Sequence, residues 1–134
     1  AYRDYGNTWM FKHPYPYDMF NVFEDNLDRD LDWLWTPILF ETWIVNVGVK
    51  SVESTASGVM VTIEDKELAP MPIRVTATYA DGTSRTMTIP VDTWLSGAHT
   101  ATLTFPTGDV TRVELPVDRI LDTDPTDNVW TPSM

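Results

Sequence analysis

Chemistry in this chain would have to come from a short inventory of side chains. There are two histidines, His13 and His99, far apart in the sequence. A zinc hydrolase motif HExxH needs two histidines four apart on one helical face, with a glutamate base between them. The sequence contains no such pair, and no G-x-S-x-G nucleophile elbow. Neither histidine has sequence support as the base of a triad. His13 precedes Pro14 in a loop-like stretch, and His99 opens a strand after Gly97. A structural or solvated role is the simpler reading of each. Glu24, Asp25, Asp28, Asp30 and Asp32 cluster, and a small acid-catalysed hydrolase could use such carboxylates as an acid–base pair. Helix starts explain them more economically, because carboxylates favour N-termini through capping and the macrodipole. Asp122, Asp124 and Asp127 form a D-x-D-x-x-D run of oxygen ligands suited to calcium. The run lacks the central glycine and closing glutamate of an EF-hand loop, so a polar turn is the simpler reading. Trp94 and Trp130 are weak candidates for a surface site, as stacking platforms of a carbohydrate-binding module. Tryptophan more often anchors a core or a domain interface, since it buries a large area.

Composition narrows the field. The chain has 134 residues, enough to bury roughly two-thirds of the surface its unfolded form exposes. With 43% hydrophobic and 22% charged residues it reads as globular. The net charge of −11 makes nucleic acid and anionic membranes poor partners. The absence of cysteine excludes disulfides, thiol catalysis and thiolate metal sites. No run of about 18 apolar residues is present, so membrane insertion is not expected.

The elements that must position these residues fall into two regimes. Of 16 aromatic residues, 12 lie in residues 1–45 and only Tyr79, Trp94, Phe105 and Trp130 lie beyond. The first regime predicts two or three short helices. One begins near Ala1 and ends between Asn7 and Phe11. A second is capped by Asp18 and carries Met19, Phe20, Val22 and Phe23. A third is capped by Asp28 or Asp30, with Leu31, Leu34, Trp35 and Ile38 at helical spacing. Pro37 implies a kink or a new start. The second regime alternates with period two, with threonine on the outer face: Val59-Val61-Ile63, Ile73-Val75-Ala77-Tyr79, Met87-Ile89, Ala101-Leu103-Phe105 and Val113-Leu115. A further strand is expected around Asn46–Ser54. Asp81-Gly82 between two alternating runs is the strongest hairpin signal. The fold class is therefore mainly β with an N-terminal α segment: an immunoglobulin-like antiparallel β-sandwich over residues 46–134, preceded by a helical segment over residues 1–45. The polar tail Asp122–Met134 is expected to run along the surface.

The run Trp9-Met10-Phe11-Lys12-His13-Pro14-Tyr15-Pro16, then Asp18-Met19-Phe20, Glu24 and Arg29-Asp30-Leu31-Asp32-Trp33-Leu34-Trp35, resembles the end of the catalytic domain in bacterial zinc metallopeptidases of the aminopeptidase N type. These are gluzincins of peptidase family M-one. Downstream, Ala69-Pro70-Met71-Pro72-Ile73, Tyr79-Ala80-Asp81-Gly82 and Asp127-Asn128-Val129-Trp130 resemble the β-domain and terminal signature of the same proteins. The chain departs from that pattern at Gly6, Asn7 and Thr36-Pro37-Ile38-Leu39.

The resemblance implies a larger parent whose HExxH and downstream glutamate bind zinc, a motif this chain lacks. None of its catalytic or zinc-binding residues maps onto these positions, and His13 does not lie in the zinc motif. No cofactor is expected in the chain itself, zinc being implied for the parent alone. The chain is read as a non-catalytic C-terminal part that supports the catalytic body and does not hydrolyse peptides alone. Candidate interdomain packing residues are Trp9, Phe11, Phe20, Phe23, Trp33, Trp35 and Trp43. The expected partner is the catalytic domain of the same polypeptide, with self-association as the fate of an uncovered surface. Export or periplasmic location of the parent stays open. The rival reading is a free-standing β-sandwich binding module for carbohydrate or protein.

Overall fold

A computed structural model describes residues 1–116 and 121–132. The chain forms two compact units, Ala1–Thr42 and Trp43–Met134. Trp43 thus belongs with the strands and not with the helices that precede it.

The first unit begins with α1 (Tyr2–Trp9) and α2 (Pro16–Leu27), followed by the single turn α3 (Asp32–Trp35) and a π-helical turn, Thr36–Phe40. Helix α2 starts two residues earlier than the expected cap. Pro16 occupies its first turn, where a missing N–H costs nothing. Asp18 is not the cap residue but the third helical position, and its carboxylate accepts the Tyr15 N–H at 2.7 Å. The helix stops at Asp28, which is left-handed at φ 48°. Asp28 thus closes α2 and does not cap α3. Leu31 is the cap residue of α3, and Asp30 assists by accepting the Asp32 N–H at 2.8 Å. Pro37 falls in the first turn of the π-helical segment. A proline cannot donate into an α-helical ladder, and the chain meets this by starting a wider turn at Thr36.

The second unit is a two-sheet sandwich. One antiparallel sheet has the order β1-β2-β5, from Val47–Thr55, Gly58–Asp65 and Thr100–Phe105. The other has the order β4-β3-β6-β7, from Ser84–Ile89, Ile73–Tyr79, Val110–Glu114 and Val129–Trp130. Inward residues of both sheets form one core: Val59, Val61, Ile63 and Phe105 from the first, Ile73, Val75, Val113 and Leu115 from or beside the second. The alternating runs named from the sequence are the strands that supply it. Outer faces carry threonine pairs across strands, Thr62 with Thr102 at 3.3 Å and Thr76 with Thr86 at 2.9 Å. The β1–β2 turn needs Gly58. Its φ is +144°, and a Cβ there would stand 2.2 Å from the Phe105 carbonyl oxygen.

Two features depart from expectation. A short helix α4 (Val91–Leu95) follows β4, and it carries Trp94. The polar tail lies at the surface, with Asn128 buried, but it is fastened to the sandwich. Thr123 N–H donates to Val45 O at 3.0 Å, and Leu115 N–H donates to Asn128 O at 2.9 Å. Val129 and Trp130 then pair with Glu114 and Val113 as the edge strand β7. Unpaired edge groups of β6 recruit this segment, because two residues can join a ladder without any alternation of their own. Among the described residues, no helix is long and apolar enough to cross a membrane.

Candidate functional site

In the helical unit the aromatic residues divide into a closed cluster and an open face. Phe20 is only 4% exposed. Trp35 stacks on it at 4.8 Å between ring centroids with an interplanar angle of 16°. Phe23 meets Trp35 edge-on at 5.8 Å, and Phe40 and Tyr17 meet Phe20 edge-on at 6.2 and 5.5 Å. Offset and edge-to-face contacts of this kind add about 0.5–1.5 kcal/mol each beyond area burial. Glu24 ties the cluster together: Oε1 accepts Trp35 Nε1–H at 3.1 Å and the Leu31 N–H at 3.2 Å. A carboxylate that holds a tryptophan and a helix start explains why Glu24 stands in this stretch without invoking catalysis.

Much of the unit's other aromatic surface is open, although Tyr5, Trp9 and Trp33 are half-buried. Phe11 is 97% exposed, and Tyr2, Tyr15, Tyr17 and Phe40 are also exposed. Phe11 has φ +64°, a left-handed conformation that a bulky side chain adopts at a cost. Trp9 lies under the Lys12 ammonium at 5.5 Å and Trp33 under the Arg29 guanidinium at 5.8 Å. The buried indole N–H groups of Trp9 and Trp33 find no acceptor among the described residues. Tyr5, Trp9, Met10 and Pro14 line an open groove of about 490 Å³. The candidate packing residues thus separate. Phe20, Phe23 and Trp35 build the unit's own cluster, whereas Phe11 faces solvent. Trp43 is exposed and lies in the sandwich unit.

The other candidate residues are placed as follows. His13 and His99 are exposed and sit in different units. Asp28 and Asp30 are also exposed, so the acid-hydrolase reading lacks the buried cleft it requires. Among the described residues, one acidic group could share an ion: Glu24, Asp30 and Asp32 bring carboxylate oxygens within 4.8 Å of one another. Two hydrogen bonds already engage Glu24 Oε1 there.

The D-x-D-x-x-D run spends most of its oxygens on the chain itself, while the buried Asp127 Oδ1 has no hydrogen-bond partner among the described residues. Asp122 accepts the N–H groups of Asp124 at 2.9 Å and Val47 at 3.4 Å. Asp124 accepts Thr126 N–H at 3.2 Å and its hydroxyl at 2.5 Å, which holds the Asp124 carboxyl below its usual range. Asp127 pairs with the Lys66 ammonium, and that bond raises the lysine pKa. Gly48 lets Asp127 approach, since a Cβ there would lie 2.5 Å from Oδ2. The tail is fastened by turns and one ion pair. Beside it Asn128 is 1% exposed, and neither side-chain amide atom has a partner among the described residues.

Trp94 offers no sugar platform. It is 6% exposed, belongs to the core, and donates its indole N–H to Met71 O at 2.8 Å. Trp130 is half-buried against the same core. A residue that sequence reasoning passed over is Asp65. It continues the inward series Val59-Val61-Ile63 and is buried beside it. Burial pushes its carboxyl up from the ordinary value, against the Glu67 N–H bond and the charge of His99, which pull it down. The phase of β2 was the available signal, since position 65 falls on the apolar side. An open cleft of about 400 Å³ at the hairpin end is lined by Tyr79, Asp81, Thr83, Arg85 and Asp109; its hydroxyl–carboxylate contact, Thr83 Oγ1–H to Asp81 Oδ1 at 2.7 Å, belongs to the turn, where the same oxygen accepts the Thr83 N–H at 2.9 Å. The Tyr79 hydroxyl there donates to Pro106 O at 3.0 Å.

Comparison with family models, with curated proteins and with solved structures gives no match to this chain.

Proposed function

We propose that the chain is the non-catalytic C-terminal part of a bacterial zinc metallopeptidase of the aminopeptidase N type. Its role is to close and support a catalytic body. The sequence resemblance through Trp9–Pro16 and Arg29–Trp35 suggests the family. The observation that carries the supporting role is Phe11. It lies inside the resembling run, is 97% exposed, and is held at a left-handed φ. Isolated soluble units rarely keep a strained, fully exposed phenylalanine next to an apolar groove unless another surface covers it. Zinc chemistry belongs to the parent in this reading, and this chain contributes packing.

Two tests bear on the proposal. The reading frame preceding Ala1 should encode an HExxH motif, and a frame without one would overturn the assignment. The chain incubated with zinc and aminoacyl chromogenic substrates should give no turnover above buffer. Turnover abolished by a chelator would overturn the non-catalytic role.

A further inference from the structure

The sandwich unit has a hollow of about 280 Å³ whose lining includes Trp43, Asp65, Glu67, Leu68, Trp94 and His99. Its size is at the low end for a drug-sized ligand and suits a single side chain. Its chemistry is one-sided. Asp65 is 8% exposed, yet among the described residues no ion pair reaches it. Among the described residues, the hydrogen bond to its carboxylate is a long one, 3.5 Å from the Glu67 N–H. A buried carboxylate normally has a cation or several donors, because desolvation is otherwise uncompensated. Glu67, half-buried, adds a second carboxylate to the lining. His99, the basic residue of the lining, is exposed and makes no ion pair with Asp65 among the described residues.

The walls specify the cation further. Trp43, 39% exposed, lines the hollow with Leu68 exposed beside it, and the core residue Trp94 closes it from below. An indole face attracts cations, and a planar guanidinium both stacks on indole and bonds a carboxylate with two parallel N–H groups. An ammonium makes only the point contact. The net charge of −11 draws basic surfaces towards the whole molecule.

We propose that this hollow receives the guanidinium of an arginine from a partner protein, with Asp65 as its carboxylate and Trp43 as its stacking wall. The proposal does not depend on the peptidase reading. It is tested by NMR on the full chain, titrated at constant ionic strength with Nα-acetylarginine amide. The controls are the lysine analogue and the neutral isostere Nα-acetylcitrulline amide. Saturable shifts are expected at the Trp43 and Trp94 indole N–H signals with the arginine probe. Binding should be at least fivefold weaker with the lysine probe and absent with citrulline. Asp65→Asn should weaken arginine binding at least tenfold. Trp43→Ala, at an exposed position that leaves the core intact, should weaken it at least fivefold. Equal response to citrulline, a linear response no larger than that to sodium chloride, or unchanged binding in both variants would overturn the site. Equal binding of lysine would overturn the guanidinium assignment.

Discussion

The two units solve the same problem with opposite means. The sandwich buries aliphatic residues between two sheets, so Val61, Ile63, Ile73, Val75 and Val113 lose all contact with water. The helical unit carries most of the aromatic residues, yet of these it buries Phe20 alone among the described residues, beside Leu31 and Pro37, and leaves Phe11, Tyr15 and Tyr17 outside. Period-two alternation gives every strand an inward face that a second sheet can cover. Short helices of 8, 12 and 4 residues offer stripes on several sides and have too few neighbours to cover them. A self-contained core and an uncovered aromatic face therefore stand in one chain. This contrast is what the proposed supporting role explains.

Breaking the core should have the largest effect. Phe105→Ala removes a ring that is 1% exposed and should lower the stability of the sandwich by about 3–5 kcal/mol, read by urea unfolding. Phe20→Ala should empty the helical unit's cluster and cost about 3 kcal/mol of that unit's stability. Far-UV circular dichroism should show the helical signal melting earlier while the sandwich transition stays in place. A joint shift of both transitions would mean that the two units do not fold separately.

The opposite sign is expected at Phe11. Replacing it with glycine relieves the left-handed strain and removes no contact within its own unit. The helical unit should gain up to about 1 kcal/mol, read as a higher melting temperature. A loss would show that Phe11 packs within the chain.

The smallest effect concerns Asp65. Burial raises its folded pKa above the unfolded value, so the folded state holds the proton more tightly. Its contribution is therefore fully present at low pH and is lost as pH rises through the folded pKa. Asp65→Asn, which keeps an oxygen for the Glu67 N–H, should exceed the parent chain in stability at pH 7. The gap should close as pH falls below the ordinary carboxylate range. Urea midpoints measured from pH 7 to pH 3 check this, and a gap that widens towards acid would contradict it.

The strands were legible because each inward series is a run of apolar residues at every second position. Val59-Val61-Ile63 and Ile73-Val75-Ala77-Tyr79 needed no partner to be recognised. What escaped depended on partners. Val129-Trp130 is too short to show a period, and its strand identity comes from the open edge of β6. Helix α4 spans five residues, less than two turns, so no periodicity could announce it. Asp18 signals the start of α2 but sits at its third position, because the cap residue, Tyr15, is not a conventional capping side chain. Among site residues, the aromatic excess was visible from composition. Its division between Phe20 and Phe11 was not, since covering depends on how α2, α3 and the π-helical turn meet. Asp65 could have been found by carrying the phase of β2 one step further.

The central claim is that the sandwich is self-sufficient and the aromatic helical unit is not. Hydrogen exchange on the full chain tests it most directly. Amides of β2, β3 and β5 should exchange only through global unfolding of the sandwich. Amides of α1 and α2 should exchange with opening free energies several-fold smaller. Equal protection of Asp4–Trp9 and Val59–Ile63 would contradict it, because the helical unit would then need no covering surface.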